Sequence, residues 1–390
     1  MDYSQTYGVL LCVALTTIVV LALKLCVSSP HGRWPKYTTK KQAECAQIIA
    51  GSVLNGAKNT LSKLEARARA NTRLSHAFGI DNAFTTENTK WHSEYRTKVT
   101  THIRPDWEMV ARDAILLAKR YQYPQNLVRL VQCFVLEMTI KILYRGDLST
   151  PDEETVLFVA TEINQIWIQS KDPRQIVPWR KQRKLHEALG RLIPGCDALD
   201  PQSNPMSFLL PAFETMWRVV LRCFIEVRFR GSKDTNEWAN ALKTYLENPN
   251  PPCDRPEERV GMVVTFALVR EALRLYPPTR HVHRHFKFAG RGSSILAIAD
   301  IEGLHRDEEV WGPDADCFRP SRWESLSPES EQLKAWMPFG GSPFVCPAKP
   351  EFGPRMIGIL VAALVEVFSD VKFELRLEGP RGRMDMAEFH

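Results

Sequence analysis

Phe339-Gly340-Gly341-Ser342-Pro343-Phe344-Val345-Cys346-Pro347-Ala348 places one cysteine in a loop shaped by glycine and proline, just ahead of the apolar run at residues 356–368 (MIGILVAALVEVF). The run has the composition of a buried helix. Cys346 is therefore expected close to a helix N-terminus, where the dipole and free amides favour a thiolate. A sulfur held this way is a strong axial donor to haem iron: it pushes electron density towards bound dioxygen, and backbone donors around it set the potential. Glycines ahead of the cysteine let the backbone approach a flat macrocycle without a Cβ in the way. Read alone, the stretch also describes an ordinary small buried cysteine. The rest of the chain has to decide.

Upstream, residues 255–276 have the pattern of a helix. Pro256 stands at the first turn, Glu257 and Glu258 load the positive end, and Pro277-Pro278 stops it. Glu271 and Arg274 on this helix share one face. Further on, His305-Arg306-Asp307 is followed by residues 311–323 (WGPDADCFRPSRW), whose aromatic-Pro-x-Arg-aromatic order would set Arg322 against Glu271 and Arg274. As ordinary surface features, these are a solvated ion pair and a polar loop.

A helix with E-x-x-R, a loop close to F-x-P-E-R-F and a cysteine loop, in that order between Glu271 and Cys346, resemble the cytochrome P-450 family. The resemblance implies a mainly α fold with a small β-sheet subdomain, and haem b (heme b, iron protoporphyrin IX) with Cys346 as the metal ligand and Phe339 in the same binding loop. It also implies that Glu271, Arg274 and Arg322 form a buried structural triad beneath that loop. The apolar segment 205–229 carries Pro211-Ala212-Phe213-Glu214-Thr215, similar to the family's distal-helix motif. There Glu214 and Thr215 would be the catalytic residues, relaying protons to bound oxygen. On their residues alone, Thr215 is equally a hydroxyl bonded back one turn, and Glu214 an i+4 partner of Arg218. Pro211 should kink the helix by clashing with the carbonyl of Ser207. For the haem propionates the resemblance points to His92, Arg96 and Arg284.

The chain departs from the family pattern at several positions. Phe344 stands two before the cysteine where most members have Arg, so one propionate contact is missing. Ser342 and Ala348 replace usual glycines, and Ser321 replaces the Glu of the aromatic-Pro-Glu-Arg loop.

The front of the chain addresses location. Residues 7–27 (YGVLLCVALTTIVVLALKLCV) are nearly all apolar, and about 20 such residues span a bilayer. Lys24 lies near its end and Arg33, Lys36, Lys40 and Lys41 follow, which by the positive-inside tendency leaves the downstream part cytosolic. This predicts one N-terminal transmembrane signal anchor over residues 1–28 and, with the resemblance, an endoplasmic reticulum membrane protein. A cleaved signal peptide would have a basic n-region, which is lacking. Nine scattered cysteines without C-x-x-C spacing argue against a disulfide framework or zinc site. The net charge of +6 comes with no Lys/Arg tract interleaved with aromatics, which excludes an evident nucleic-acid surface.

Helices are expected over residues 41–68, 86–103, 106–121, 125–144, 177–193 and 235–247. A further one starts at Thr150-Pro151-Asp152 and runs through the apolar stretch to residue 168. Strands are expected at 285–288, 294–299 and 371–376. Residues 29–85 are read as a linker and N-terminal helical region, and 86–390 as the haem-thiolate catalytic domain. The chain is short for an anchored family member. The deficit falls before Thr215, in the Pro-rich hinge, the first sheet hairpin and part of the lid over the substrate pocket.

The expectation is therefore a membrane-anchored monooxygenase that inserts one oxygen atom of O2 into an apolar small molecule, in the manner of filamentous-fungal members serving secondary metabolism. The resemblance implies electrons from NADPH through NADPH-cytochrome P-450 reductase, with cytochrome b5 as a further donor. Two other readings compete: a degenerate, non-catalytic remnant acting as a scaffold, and a haem protein of other chemistry such as isomerisation.

Overall fold

The computed structural model of the chain describes residues 35–121, 126–144, 152–230, 234–252, 254–290 and 294–369. The apolar segment 7–27 and the strand expected at 371–376 lie outside them. No described helix is long and apolar enough to cross a membrane. The described chain is mainly helical with one small sheet.

Strand β1 (Lys36–Thr39) opens the described chain, followed by α1 (Gln42–Ala50), strands β2 (Val53–Leu54) and β3 (Ala57–Lys58), and α2 (Lys63–Phe78). The single helix expected over 41–68 is thus two helices with a hairpin between them. Gly51 takes the left-handed conformation (φ 72°) and donates its amide to Gln47 O, ending α1. Asn55 and Gly56 both have positive φ (49° and 79°), the residue pair that closes a two-residue hairpin. A capping box between Ser62 and Glu65 then starts α2.

Residues read as linker also complete the main sheet. β1 pairs in parallel with β5 (Ser294–Asp300), which pairs antiparallel with β4 (His281–Lys287), giving the order β1-β5-β4. Behind the sheet, Cys45, Ile48, Ile49, Phe286, Ala297 and Trp323 share a satellite core.

The main core is built by α3 (Thr89–His102), α4 (Trp107–Arg120), α5 (Leu127–Tyr144), α6 (Glu153–Gln169), α7 (Arg183–Leu192), α8 (Met206–Ile225), α9 (Thr235–Glu247), α10 (Val260–Leu275) and α11 (Phe352–Val367). Asn88 and Asp106 cap α3 and α4 through their side chains. α6 starts later than the Thr150 signal implies, because the Asp152 carboxylate takes the Thr155 amide and becomes the cap. The helix read over 255–276 divides into a 3-10 turn at Pro256–Arg259 and α10. α11 starts at Phe352, one turn before the apolar run.

Pro211 lies inside α8 and offers no amide to the Ser207 carbonyl one turn back. Two side chains from outside the helix take that oxygen: Tyr95 Oη donates at 2.6 Å and Asn82 Nδ2 at 3.1 Å. The Tyr95 ring stacks on Phe208 with centroids 5.2 Å apart. Tyr95→Phe should therefore cost about 1–2 kcal/mol, the worth of one buried hydrogen bond with a partner left short. Urea titration of the purified protein reads this, and an unchanged midpoint would contradict it.

Candidate functional site

The charge cluster foreseen from E-x-x-R forms at the C-terminal end of α10. Glu271 and Arg274 are fully buried, and Arg274 Nε and Nη2 donate to the two carboxylate oxygens at 3.0 and 2.8 Å. Arg322 Nε adds a contact to Glu271 Oε1 at 2.9 Å, and the Arg319 amide reaches the same oxygen at 3.0 Å. Trp323 Nε1 donates to Oε2 at 2.9 Å. The guanidiniums spend their remaining N–H groups on loop carbonyls, Arg274 on His305 and Ala315, Arg322 on Trp311 and Asp314. Glu271 supplies one negative charge against two guanidiniums, and Asp314 Oδ2, 3.4 Å from Arg322 Nη2, supplies the second; every charge is thus balanced and hydrogen-bonded, which is what tolerates burial.

His305 carries this rigidity to the cysteine loop. Its Nδ1 lies 3.0 Å from Arg274 O, and its Nε2 accepts the Met337 amide at 2.9 Å. The imidazole is therefore neutral, with its proton on Nδ1. Met337 O in turn accepts the Gly340 amide at the start of the loop. Burial pulls the His305 pKa down from 6.5 to about 3. The unfolded chain binds this proton more readily, so its contribution to stability is complete above pH 6.5 and disappears as pH falls towards about 3. Denaturant midpoints between pH 7 and 4 should fall, and His305→Asn should flatten part of that slope.

Within the loop, Gly340 has φ 73°, and a Cβ there would sit 3.1 Å from Phe344 O. The Cys346 amide donates to Phe339 O at 2.9 Å, fixing Phe339 and Cys346 across the loop. Because α11 begins at Phe352, the sulfur does not sit on the helix's first turn; its amide donor is the neighbouring Ala348. Burial raises the Cys346 thiol pKa, opposed by that amide and by Arg67 and Arg96. A bound metal cation would reverse this balance, since a coordinated thiol is deprotonated.

Around Phe344 the structure gathers cations. The guanidinium of Arg284 lies 5.2 Å from the Phe344 ring centre and that of Arg67 4.7 Å, and His92 meets the ring edge-on at 6.1 Å. Arg96 reaches Pro343 O at 3.4 Å. Arg284 is buried, held by Ile49 O and its neighbour's carbonyl. No carboxylate among the described residues forms an ion pair with Arg67, Arg96 or Arg284, and His92 Nε2 is buried without a hydrogen-bond partner. Buried cations beside an orphan ring nitrogen call for an anion. The two propionates of haem, with iron at the nearby thiol, fit this set of donors.

Glu214 and Thr215 are placed otherwise than a free acid and alcohol. The Glu214 carboxylate is buried, paired with Arg218 on the next turn and accepting from Trp217 Nε1 at 3.0 Å. Burial raises its pKa, against the pull of Arg218. Arg218 is itself held by Asn164 at 2.8 Å. The Thr215 hydroxyl donates to Pro211 O at 2.7 Å. Both side chains make the local bonds that their spacing alone allows.

Two contributors escaped the sequence reading. Arg67 sits on α2, in a stretch without a motif, and Tyr95 stands between His92 and Arg96 as one more aromatic. A mid-helix proline signals an orphan carbonyl, yet nothing local names its partner.

The cytochrome P450 family model matches residues 242–372. Among curated relatives, the chain is 35% identical over 111 residues to Cytochrome P450 714A2 of Arabidopsis thaliana, covering 26% of this chain and 21% of that protein. It is 52% identical over 62 residues to the Cytochrome P450 monooxygenase apdE of Emericella nidulans (16% and 11% covered) and 36% over 142 residues to a cytochrome P450 of Arthroderma benhamiae (30% and 27%). The alignments thus span about a quarter or less of these relatives' own length. Its fold is similar to that of a 6-coordinated cytochrome P450 from Thermus thermophilus, with a TM-score of 0.56 at 17% identity over 84% of this chain and 83% of that one. Residues 242–372, which carry the motifs, thus match the cytochrome P450 family, and the described architecture is similar to that of a solved cytochrome P450.

Proposed function

We propose that this chain is a haem-thiolate monooxygenase inserting one atom of dioxygen into an apolar small molecule. The observation that carries the reading is a cysteine loop braced through His305 to the Glu271–Arg274–Arg322 cluster and flanked by cations without a carboxylate partner. Bound haem would supply dioxygen activation and oxygen-atom transfer. Cys346 would hold the iron with its sulfur steadied by the Ala348 amide, while His92, Arg96 and Arg284 would hold the anionic edge. A haem-free scaffold would bury those guanidiniums with no anion, which disfavours that alternative.

Proton delivery would fall to α8. The Thr215 hydroxyl has its hydrogen on Pro211 O, so its lone pairs remain to accept a hydrogen bond from water. Glu214 would have to leave Arg218 to take part, making the relay a side-chain movement rather than a standing chain. Thr215→Ala should keep the haem spectrum yet lower the yield of product per NADPH by roughly tenfold or more, the electrons appearing as peroxide. Unchanged coupling would remove Thr215 from the relay.

Electrons would come from NADPH through a flavoprotein reductase, with cytochrome b5 as a further donor. The segment at 7–27 would anchor the chain to the endoplasmic reticulum and bring the pocket near lipid, which suits an apolar substrate. A role in secondary metabolism is proposed by analogy with filamentous-fungal members alone. The test is a reduced, carbon-monoxide difference spectrum of the purified full-length protein. A thiolate-type Soret band is expected, and its absence after haem supplementation would refute the reading.

A further inference from the structure

We infer that Arg67 of α2, stacked on Phe344, replaces the loop cation that this chain lacks two residues before Cys346, and binds one carboxylate of the haem edge. The inference rests on the haem-thiolate reading. The Arg67 guanidinium lies between two rings, 4.6 Å from the centre of Phe84 and 4.7 Å from that of Phe344. Stacking uses the faces of a guanidinium and leaves its N–H fork, in the plane, for a planar anion. Arg67 is buried and has no ion-pair partner among the described residues. Arg284 lies against the same Phe344 ring at 5.2 Å.

Two guanidiniums sharing one ring repel each other, and Arg284 is driven well below its usual range by burial and by Arg67. A single monovalent anion would leave one of them uncompensated, whereas a group with two carboxylates matches both. Phe344 thus does more than delete a donor from the loop. As an arginine it would occupy the space of the ring and repel Arg67 and Arg284; as phenylalanine it offers both a face on which to stack. The cation has moved from the loop to a helix nearly 280 residues earlier.

The experiment measures haem transfer from the purified holoprotein to excess apomyoglobin for wild type, Arg67→Leu, Arg67→Lys and Arg67→Leu/Phe344→Arg. Arg67→Leu should release haem about tenfold faster, the factor carried by one charge-assisted hydrogen bond. Arg67→Lys keeps the charge without the fork and should fall between. Returning a cation at position 344 should slow release in the Arg67→Leu background. Should Arg67→Leu yield no loaded protein, Arg67→Lys against wild type carries the comparison. Wild-type release rates in Arg67→Leu would overturn the inference, as would failure of Phe344→Arg to slow release. Fast release tracking a lowered melting temperature of the haem-free chain would also overturn it, since that marks a packing role alone. A wild-type protein that takes up no haem would instead sink the haem-thiolate reading beneath it.

Discussion

Cys346→Ser is expected to abolish the carbon-monoxide difference band of the reduced protein. A serine hydroxyl occupies nearly the same volume but is a far weaker donor to iron and holds its proton. The loop should survive the exchange, because its shape is set by backbone contacts that the substitution leaves alone: Cys346 N to Phe339 O, Phe344 N to Gly341 O, and Gly340 N to Met337 O. The expected result is therefore total loss of the spectroscopic signature with the haem-free melting temperature hardly changed, a change within about 0.5 kcal/mol of stability. Persistence of a thiolate band in Cys346→Ser would assign the iron to another residue.

Glu271→Gln is expected to be the most damaging single-atom exchange in the molecule. Glu271 Oε1 accepts from Arg274, Arg319 and Arg322, and Oε2 from Arg274 and Trp323. A glutamine points an NH2 at donors on one of these sides, leaves the buried Arg274 without a carboxylate and leaves Arg322 with Asp314 alone. Breaking a buried charge pair this way costs about 3–5 kcal/mol, against a total stability of about 5–15 kcal/mol. Most of the variant should be insoluble, and the soluble remainder should unfold at much lower urea. Because His305 and Met337 tie the cluster to the cysteine loop, haem retention should fall with it. A wild-type urea midpoint for Glu271→Gln would show that the cluster is not what braces the loop.

What could be read from the sequence depended on how local the determinant was. Glu271 and Arg274 share a helix face by their spacing, and the aromatic-rich loop with Arg322 follows within the same region, so their meeting was legible before any coordinates. The helices expected over 86–103 and 106–121 form within a few residues of those bounds, since the Asn88 and Asp106 caps that set their starts bond amides only two or three residues away. The alternative partners of Glu214 and Thr215 were also legible, being one turn distant, and these are the bonds that form. The division of 41–68 was missed although Asn55-Gly56 is a turn signal, because the flanking residues favour helix on both sides. The pairing of β1 with β5 and the approach of Arg67 to Phe344 join segments more than 250 residues apart, and no periodicity within either segment encodes its partner.

The oxygen that Pro211 leaves without an amide sets a mechanical relation between two walls of the molecule. Tyr95, which fills that gap, is the immediate neighbour of Arg96 and lies one turn from His92, so a single phenol fastens α8 to the helix bearing both of these side chains. Spreading α8 at Pro211 must therefore either break this fastening or drag α3 along. A guest wedged against the proline would be felt on the far wall as a shift in electrostatic setting, with no residue of that wall touching it.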